Sequence, residues 1–172
     1  MVFKLIAADR IVTLQPRDLG KDIQNKIYRR LVEQSEGRCD PELGYIVCLE
    51  RLSAHDKGRV DEITGAVSFR VSCRFLVFQL TRDEVIDGTC TSVTQHGFMV
   101  TAGPFVIFVS NKLVPVNMVF DESPVPQYVD AAASMRVQKG TEVRVQVTSL
   151  TFMGENFTCL GSIRGDFLGP VS

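Results

Sequence analysis

Apolar positions recur along this chain with two periods, and the change of period marks its organisation. An opening apolar stretch closes at Leu14-Gln15-Pro16, where the proline marks a turn or the start of a helix. Leu19, Ile23, Ile27 and Leu31 then recur every four residues with Tyr28 and Val32 beside them, which predicts an amphipathic helix over 18–34. Lys21, Lys26, Arg29 and Arg30 lie mostly off that stripe and read as a solvated basic face. Glu36-Gly37 ends the helix. Residues 44–49 read as a short buried strand and 53–65 as a polar loop. From Val67 the period becomes two: Val67, Phe69, Val71, Cys73, Phe75 and Val77 point one way, and Ser68, Arg70, Ser72 and Arg74 the other. Past Arg74 the polar face turns apolar at Leu76, Phe78 and Leu80. A strand wet on one face and then buried on both is running into a second packed unit. The expected domains are therefore 1–80 and 81–172.

The second half carries short strand patterns with turn signals between them. Strands are expected at 85–94, 98–102, 105–109, 142–148 and 157–161, with turns at Gln95-His96-Gly97 and Gly103-Pro104. The stretch 111–127 contains Pro115, Pro124 and Pro126 and reads as a long loop that still carries apolar surface. Five short strands in about 90 residues suggest a small OB-type barrel. The expected fold class is thus an α+β N-terminal domain, a helix on a small antiparallel sheet, followed by an all-β OB-fold barrel. Domains this small hide apolar surface incompletely. The excess at 105–109 and in the following loop has two explanations, a core between the domains or an obligate partner.

Composition narrows the functions this fold can serve. With 45% hydrophobic and 23% charged residues in 172, the chain is not disordered, and no run approaches a membrane span. The opening residues are too short and too interrupted by charge for a secretory signal, so a soluble intracellular protein is expected. Five scattered cysteines without a C-x-x-C pair suit a reducing compartment, and two histidines 41 residues apart offer no local metal spacing. No metal or cofactor is expected. There is no Gly-rich phosphate loop and no nucleophile elbow, and the acids Asp83, Glu84 and Asp87 read as a solvated strand-entry turn. An enzyme is not expected. Residues 1–80 carry a net charge of +2 and residues 81–172 a net of −3, too little cation for strong autonomous binding to phosphates.

What remains is a binding surface. OB barrels bind single strands by stacking bases on aromatic side chains while basic ones track phosphates. The candidates here are His96 and Phe98 at the first turn, Phe108 in the third strand, Lys112 just after it, and Arg144 on a later strand. Phe98 and Phe108 read more readily as core than as platform, His96 also reads as a turn residue, and Lys112 and Arg144 also read as ordinary surface charges. A free-standing OB-fold RNA-binding factor, acting in translation or RNA decay, fits these residues as well.

The order of short motifs resembles one family throughout the chain. Glu84-Val85-Ile86-Asp87-Gly88, then Gln95-His96-Gly97-Phe98, Gly103-Pro104 and Phe108-Val109 are similar to the OB domain of the polymerase stalk family, which includes the seventh subunit of RNA polymerase II and its archaeal relative. Leu14-Gln15-Pro16 with Gly20, Glu36-Gly37-Arg38-Cys39 and Gly44-Tyr45-Ile46 resemble its N-terminal domain, and Gly161-Ser162-Ile163 with Asp166 and Leu168-Gly169 its last signature. The closing residues resemble the polymerase II form. The family usually carries Pro where this chain has Leu80 and Gly where it has Asp83. The resemblance implies a truncated RNP-like first domain and a nuclear, non-catalytic transcription subunit that supports initiation. It also implies an obligate heterodimer with a smaller helical subunit, docked on the polymerase core near the clamp and the RNA exit path, where nascent RNA passes. By position, it implies a core contact made by Glu36, Gly37, Cys39, His55, Lys57, Gly58, Arg59 and Gly65.

Overall fold

The structure is a computed structural model and describes residues 2–122, 124–130 and 135–171. It divides into two compact units, Met1–Gln79 and Leu80–Ser172. In the first unit, β1 (Phe3–Leu14) leads through a 3-10 turn at Pro16–Asp18 to α1 (Ile23–Ser35). β2 (Cys39–Asp40), β3 (Gly44–His55), β4 (Arg59–Val60) and β5 (Val67–Phe78) complete it. The sheet runs β1-β5-β3-β2 with every pairing antiparallel, and β4 joins β5 separately. Ile27 and Leu31 of α1 are buried against one face of this sheet, where Val12, Phe69, Val71, Phe75 and Val77 form the core. The other face is wet or only half covered. On it Arg74 donates two hydrogen bonds to Glu50, and the rings of Phe3 and Phe78 meet edge to face at 4.9 Å.

Three expectations for this unit change. The helix starts at Ile23 rather than at residue 18, because Pro16–Asp18 takes its own 3-10 turn and Leu19 stays exposed. Its far end is as expected: Glu36 caps it, and Gly37 takes φ 73°, a left-handed conformation that glycine adopts freely. The short strand expected at 44–49 runs on to His55, since β5 offers twelve residues to pair with. The expected 53–65 loop therefore contains the end of β3 and all of β4.

In the second unit, β6 (Val85–Thr94), β7 (Gly97–Ala102) and β8 (Phe105–Ser110) form an antiparallel meander. β9 (Met118–Asp121), β10 (Gln127–Asp130) and β11 (Arg136–Gln138) form a separate three-stranded sheet. β12 (Glu142–Met153), β13 (Asn156–Ser162) and β14 (Gly169–Pro170) follow. β13 pairs in parallel with β8 and antiparallel with β12, and β12 pairs with β6, so β6-β7-β8-β13-β12 closes into a five-stranded barrel. Closure leaves no open edge among those five strands. The interior holds Phe98, Val100, Ile107, Val109, Val143, Val145 and Val147, all fully buried.

The long loop expected at 111–127 is a correction. Its prolines interrupt pairing but do not prevent it, and β9 forms between them. Tyr128 of β10 explains why the small sheet stays attached. Its ring packs on Phe98 and Phe120, and its hydroxyl donates to the carbonyls of Thr94 (3.0 Å) and Gln95 (3.2 Å). At the unusual position Asp83 the backbone takes φ 66°. Aspartate is among the few non-glycine residues that tolerate this region, so the turn keeps a glycine-like conformation without the glycine.

Candidate nucleic-acid interface

Alternation along the barrel strands decides which candidate side chains meet solvent. Phe98 points inward and is 0% exposed, packed against Tyr128. A ring without exposed surface cannot stack a base, so Phe98 leaves the candidate set and belongs to the core. Met99, next along β7, points outward and is 44% exposed. Its cross-strand partner is Phe108, half-buried on the outer face of β8. On the other side Phe108 sits beside Leu160 of β13, which is 40% exposed. Ser92 opposite Met99 and Ser149 opposite Leu160 continue the row. The result is an aromatic ring on the barrel wall between two exposed aliphatic side chains, flanked by small hydroxyls. Directly paired side chains of this kind lie within contact of one another.

The turn before β7 meets the same place. A Cβ on Gly97 would fall 2.1 Å from the carbonyl oxygen of Val109 and 3.0 Å from Cζ of Phe108. Only a residue without a side chain lets β7 and β8 approach this closely, and the bare backbone leaves the Phe108 ring lying toward the turn. His96, exposed, precedes that glycine, and its carbonyl accepts from the backbone N–H of Asn111 at 2.9 Å. Asn111 also donates through its side chain to the Gln95 carbonyl. Lys112 follows, exposed, in a 3-10 turn capped by Ser110. His96, Phe108 and Lys112 are thus brought together. Arg164 joins the same rim, donating from Nε to the Val114 carbonyl while Ser162 donates to the Leu113 carbonyl. Met99, Leu160 and Arg164 were not anticipated. Met99 follows from the strand period once Phe98 is inward, whereas Leu160 and Arg164 depend on the parallel β8–β13 closure.

Arg144 does not join them. It pairs across the strands with Asp87 near the start of β6, seven positions and ~20 Å of strand from the turn. Its guanidinium donates two hydrogen bonds to Asp87, at 2.6 and 2.8 Å. Those bonds hold the Asp87 carboxyl below its usual range and raise Arg144 further. The charge of Arg144 is already matched, so it is corrected from a phosphate contact to a cross-strand pair.

The eight residues assigned to a core contact separate into two places. Glu36, Gly37 and Cys39 lie where α1 ends: Glu36 Oε1 accepts from the Leu49 N–H, Gly37 N–H donates to Ile46, and Cys39 pairs with Tyr45. His55, Lys57, Gly58, Arg59 and Gly65 lie at the other end of β3, nine positions and ~30 Å of strand from Ile46. This second group is a built loop. Asp56 Oδ1 accepts from the N–H groups of Gly58 and Arg70, and Asp61 accepts from the Ile63 N–H and the Thr64 hydroxyl. The Thr64 bond first, then the Ile63 bond, holds the Asp61 carboxyl low. His55 stands edge-on to Phe69, and Lys57 and Arg59 point to solvent. Among the described residues no group of three or more His, Cys, Asp or Glu gathers as a metal site, and no helix is long and apolar enough to cross a membrane.

Residues 9–65 match the SHS2 domain found in the N terminus of Rpb7p/Rpc25p/MJ0397, and residues 79–151 match the S1 RNA binding domain. The DNA-directed RNA polymerase II subunit RPB7 of Glycine max is 32% identical over 171 residues, covering 99% of this chain and 97% of the relative. The corresponding subunit of Dictyostelium discoideum is 32% identical with 99% of both chains covered, and that of Saccharomyces cerevisiae 31% with 93% and 94% covered.

Proposed function

The chain belongs to the family of RPB7, the seventh subunit of DNA-directed RNA polymerase II, and on that premise we propose that it is the larger half of a polymerase stalk. It is a polymerase subunit without catalytic activity of its own, and its second unit is an S1 RNA-binding domain. In this reading it works in the nucleus. It pairs with a smaller helical subunit, docks on the polymerase core near the clamp, and supports initiation. The built loop carrying His55, Lys57 and Arg59 makes the core contact, while Glu36 and Gly37 serve the fold around α1. The barrel touches nascent single-stranded RNA as it leaves the enzyme.

The row Met99-Phe108-Leu160 beside Lys112 and Arg164 is the observation that supports the RNA role. A base stacks on the Phe108 ring, the aliphatic neighbours shield it, and the two cations face the adjacent phosphates. With only two cations on the rim the affinity is weak, and tethering beside the exit path compensates by raising the local concentration. In fluorescence anisotropy on the full chain, Phe108→Ala weakens a single-stranded RNA by about tenfold, since one stacked base contributes ~1–3 kcal/mol. Lys112→Ala lowers the salt slope by roughly 0.7. Unaltered RNA affinity in Phe108→Ala removes the platform from the barrel wall. Tight RNA binding by the isolated chain, with a steep salt slope, points instead to the free-standing factor.

A further inference from the structure

The basic face of α1 forms part of a cleft in the first unit. Lys26, Arg29, Arg30 and Glu33 recur at intervals of three and four, so they share one side of the helix, while Ile27 and Leu31 are buried on the other. The end of β1 and the 3-10 turn complete the lining with Thr13, Gln15 and Arg17. The Asp18 N–H donates to the Gln15 carbonyl at 2.9 Å and the Leu19 N–H to the Pro16 carbonyl at 3.2 Å, which fixes the turn that carries Arg17. The cleft holds about 340 Å³.

Its charges are poorly matched from within the chain. Glu33 accepts from Arg30 at 3.2 Å, which leaves Arg17, Lys26 and Arg29 with one lining carboxylate, Asp18. Among the described residues no ion pair engages those three cations. Like charges three and four residues apart destabilise a helix. Lys26 also lies near the start of a helix whose first turn holds no acidic residue, where the dipole disfavours a cation. An anion seated in the cleft relieves both effects.

The donor set selects the kind of anion. Two guanidinium groups and an ammonium around one concave surface suit phosphate oxygens, which arginine grips with paired hydrogen bonds. Gln15, whose side chain makes no cap hydrogen bond, adds a neutral donor. Among the described lining residues there is no aromatic ring, so the cleft offers nothing on which a base can stack. We infer that it is a binding site for a compact polyphosphate group, carried wholly by the first unit. That group belongs to a free polyphosphate anion or to the triphosphate end of an RNA. The inference goes beyond the barrel's RNA role and does not depend on it.

The test is calorimetry on the full chain with sodium tripolyphosphate. It compares wild type, the cleft variant Arg17→Gln/Arg29→Gln, and a control, Arg51→Gln/Lys139→Gln, that removes two exposed cations elsewhere. The cleft variant is expected to weaken binding by about 30-fold, and the control to stay within about twofold of wild type. Without anion, the Tm of the cleft variant is expected to equal or exceed that of wild type, since like charges near α1 are relieved. No binding to wild type at millimolar anion overturns the inference. So does equal weakening by the control, which reduces the effect to net charge, or a marked fall in the cleft variant's Tm, which makes the arginines structural. A short RNA with a 5′-triphosphate or a 5′-hydroxyl end separates the two sources. Tighter binding of the triphosphate form, lost in the cleft variant, assigns the RNA end. Equal binding of both forms, with the tripolyphosphate result as expected, assigns the free anion. Loss of both RNAs in the cleft variant with tripolyphosphate binding intact makes the cleft a track for the RNA backbone and overturns the inference.

Discussion

Gly97 shows how much a single position controls in this barrel. The carbonyl of Val109 occupies the space where a side chain would begin, and the Phe108 ring lies against the same spot. Gly97→Ala has to move backbone, so it is expected to cost about 1–3 kcal/mol in chemical denaturation and to displace Phe108, lowering RNA affinity as well. An alanine variant as stable as wild type contradicts the close approach of β7 and β8. Phe98 makes the complementary point. Its ring is sealed beneath Tyr128, so Phe98→Ala is expected to lose ~3–5 kcal/mol and tests folding, not RNA contact. Whether a phenylalanine of β7 or β8 is core or platform was open at the level of the sequence, because both strands carry apolar residues on successive positions. Only the direction of each Cβ in the closed barrel separates them.

Among the elements of the barrel unit, β12 pairs with three others, β6, β13 and β14. Arg144 on this strand bridges to Asp87 on β6 at the surface, where ion pairs contribute little to stability. Arg144→Ala is therefore expected to leave the denaturation midpoint nearly unchanged and RNA affinity equal to wild type. A loss of RNA binding as large as that of Phe108→Ala sinks the separation of Arg144 from the platform. The periodic elements α1, β5 and the first half of β12 were legible from spacing alone, since each presents one clean apolar face. The 3-10 turn before α1 and strand β9 were not. Prolines mark where regular structure is interrupted, but they do not say whether a neighbouring segment finds a pairing partner.

At the scale of the whole molecule, stability depends on pH from both directions. Glu50 and Asp87 are each held low first by hydrogen bonds from an arginine, Arg74 and Arg144. For Asp40 burial acts upward but is outweighed by the N–H groups of Leu43 and Glu42 and by Arg10. A carboxyl lowered in the folded state stabilises it above the unfolded pKa, and that contribution is lost as pH falls through the folded value. Tm is thus expected to be flat above roughly pH 5 and to drop below about pH 4. On the alkaline side, burial pushes the thiols of Cys73 and Cys90 up to about 11. A raised pKa stabilises below the unfolded value, so Tm declines again as pH climbs from about 8.5 toward 11. Asp40, the least exposed of the three carboxylates, carries most of the acid-side dependence, because the exposed pairs of Glu50 and Asp87 contribute little. A Tm constant from pH 7 to pH 3 is incompatible with its contacts.

Local order was enough to determine a good deal: two modules, one amphipathic helix against a sheet, a run of short strands, and a family signature from end to end. These are properties of neighbours in the chain, and period, turn residues and motif order express them directly. The site was a different matter. Leu160 and Arg164 reach Phe108 and Lys112 only because β13 closes in parallel on β8, a pairing that joins residues about 50 positions apart. The two groups assigned to a core contact fell apart for the reverse reason, since one long strand, β3, carries them to opposite ends. Long-range pairing decides which distant side chains share a surface, and a linear pattern holds no record of it.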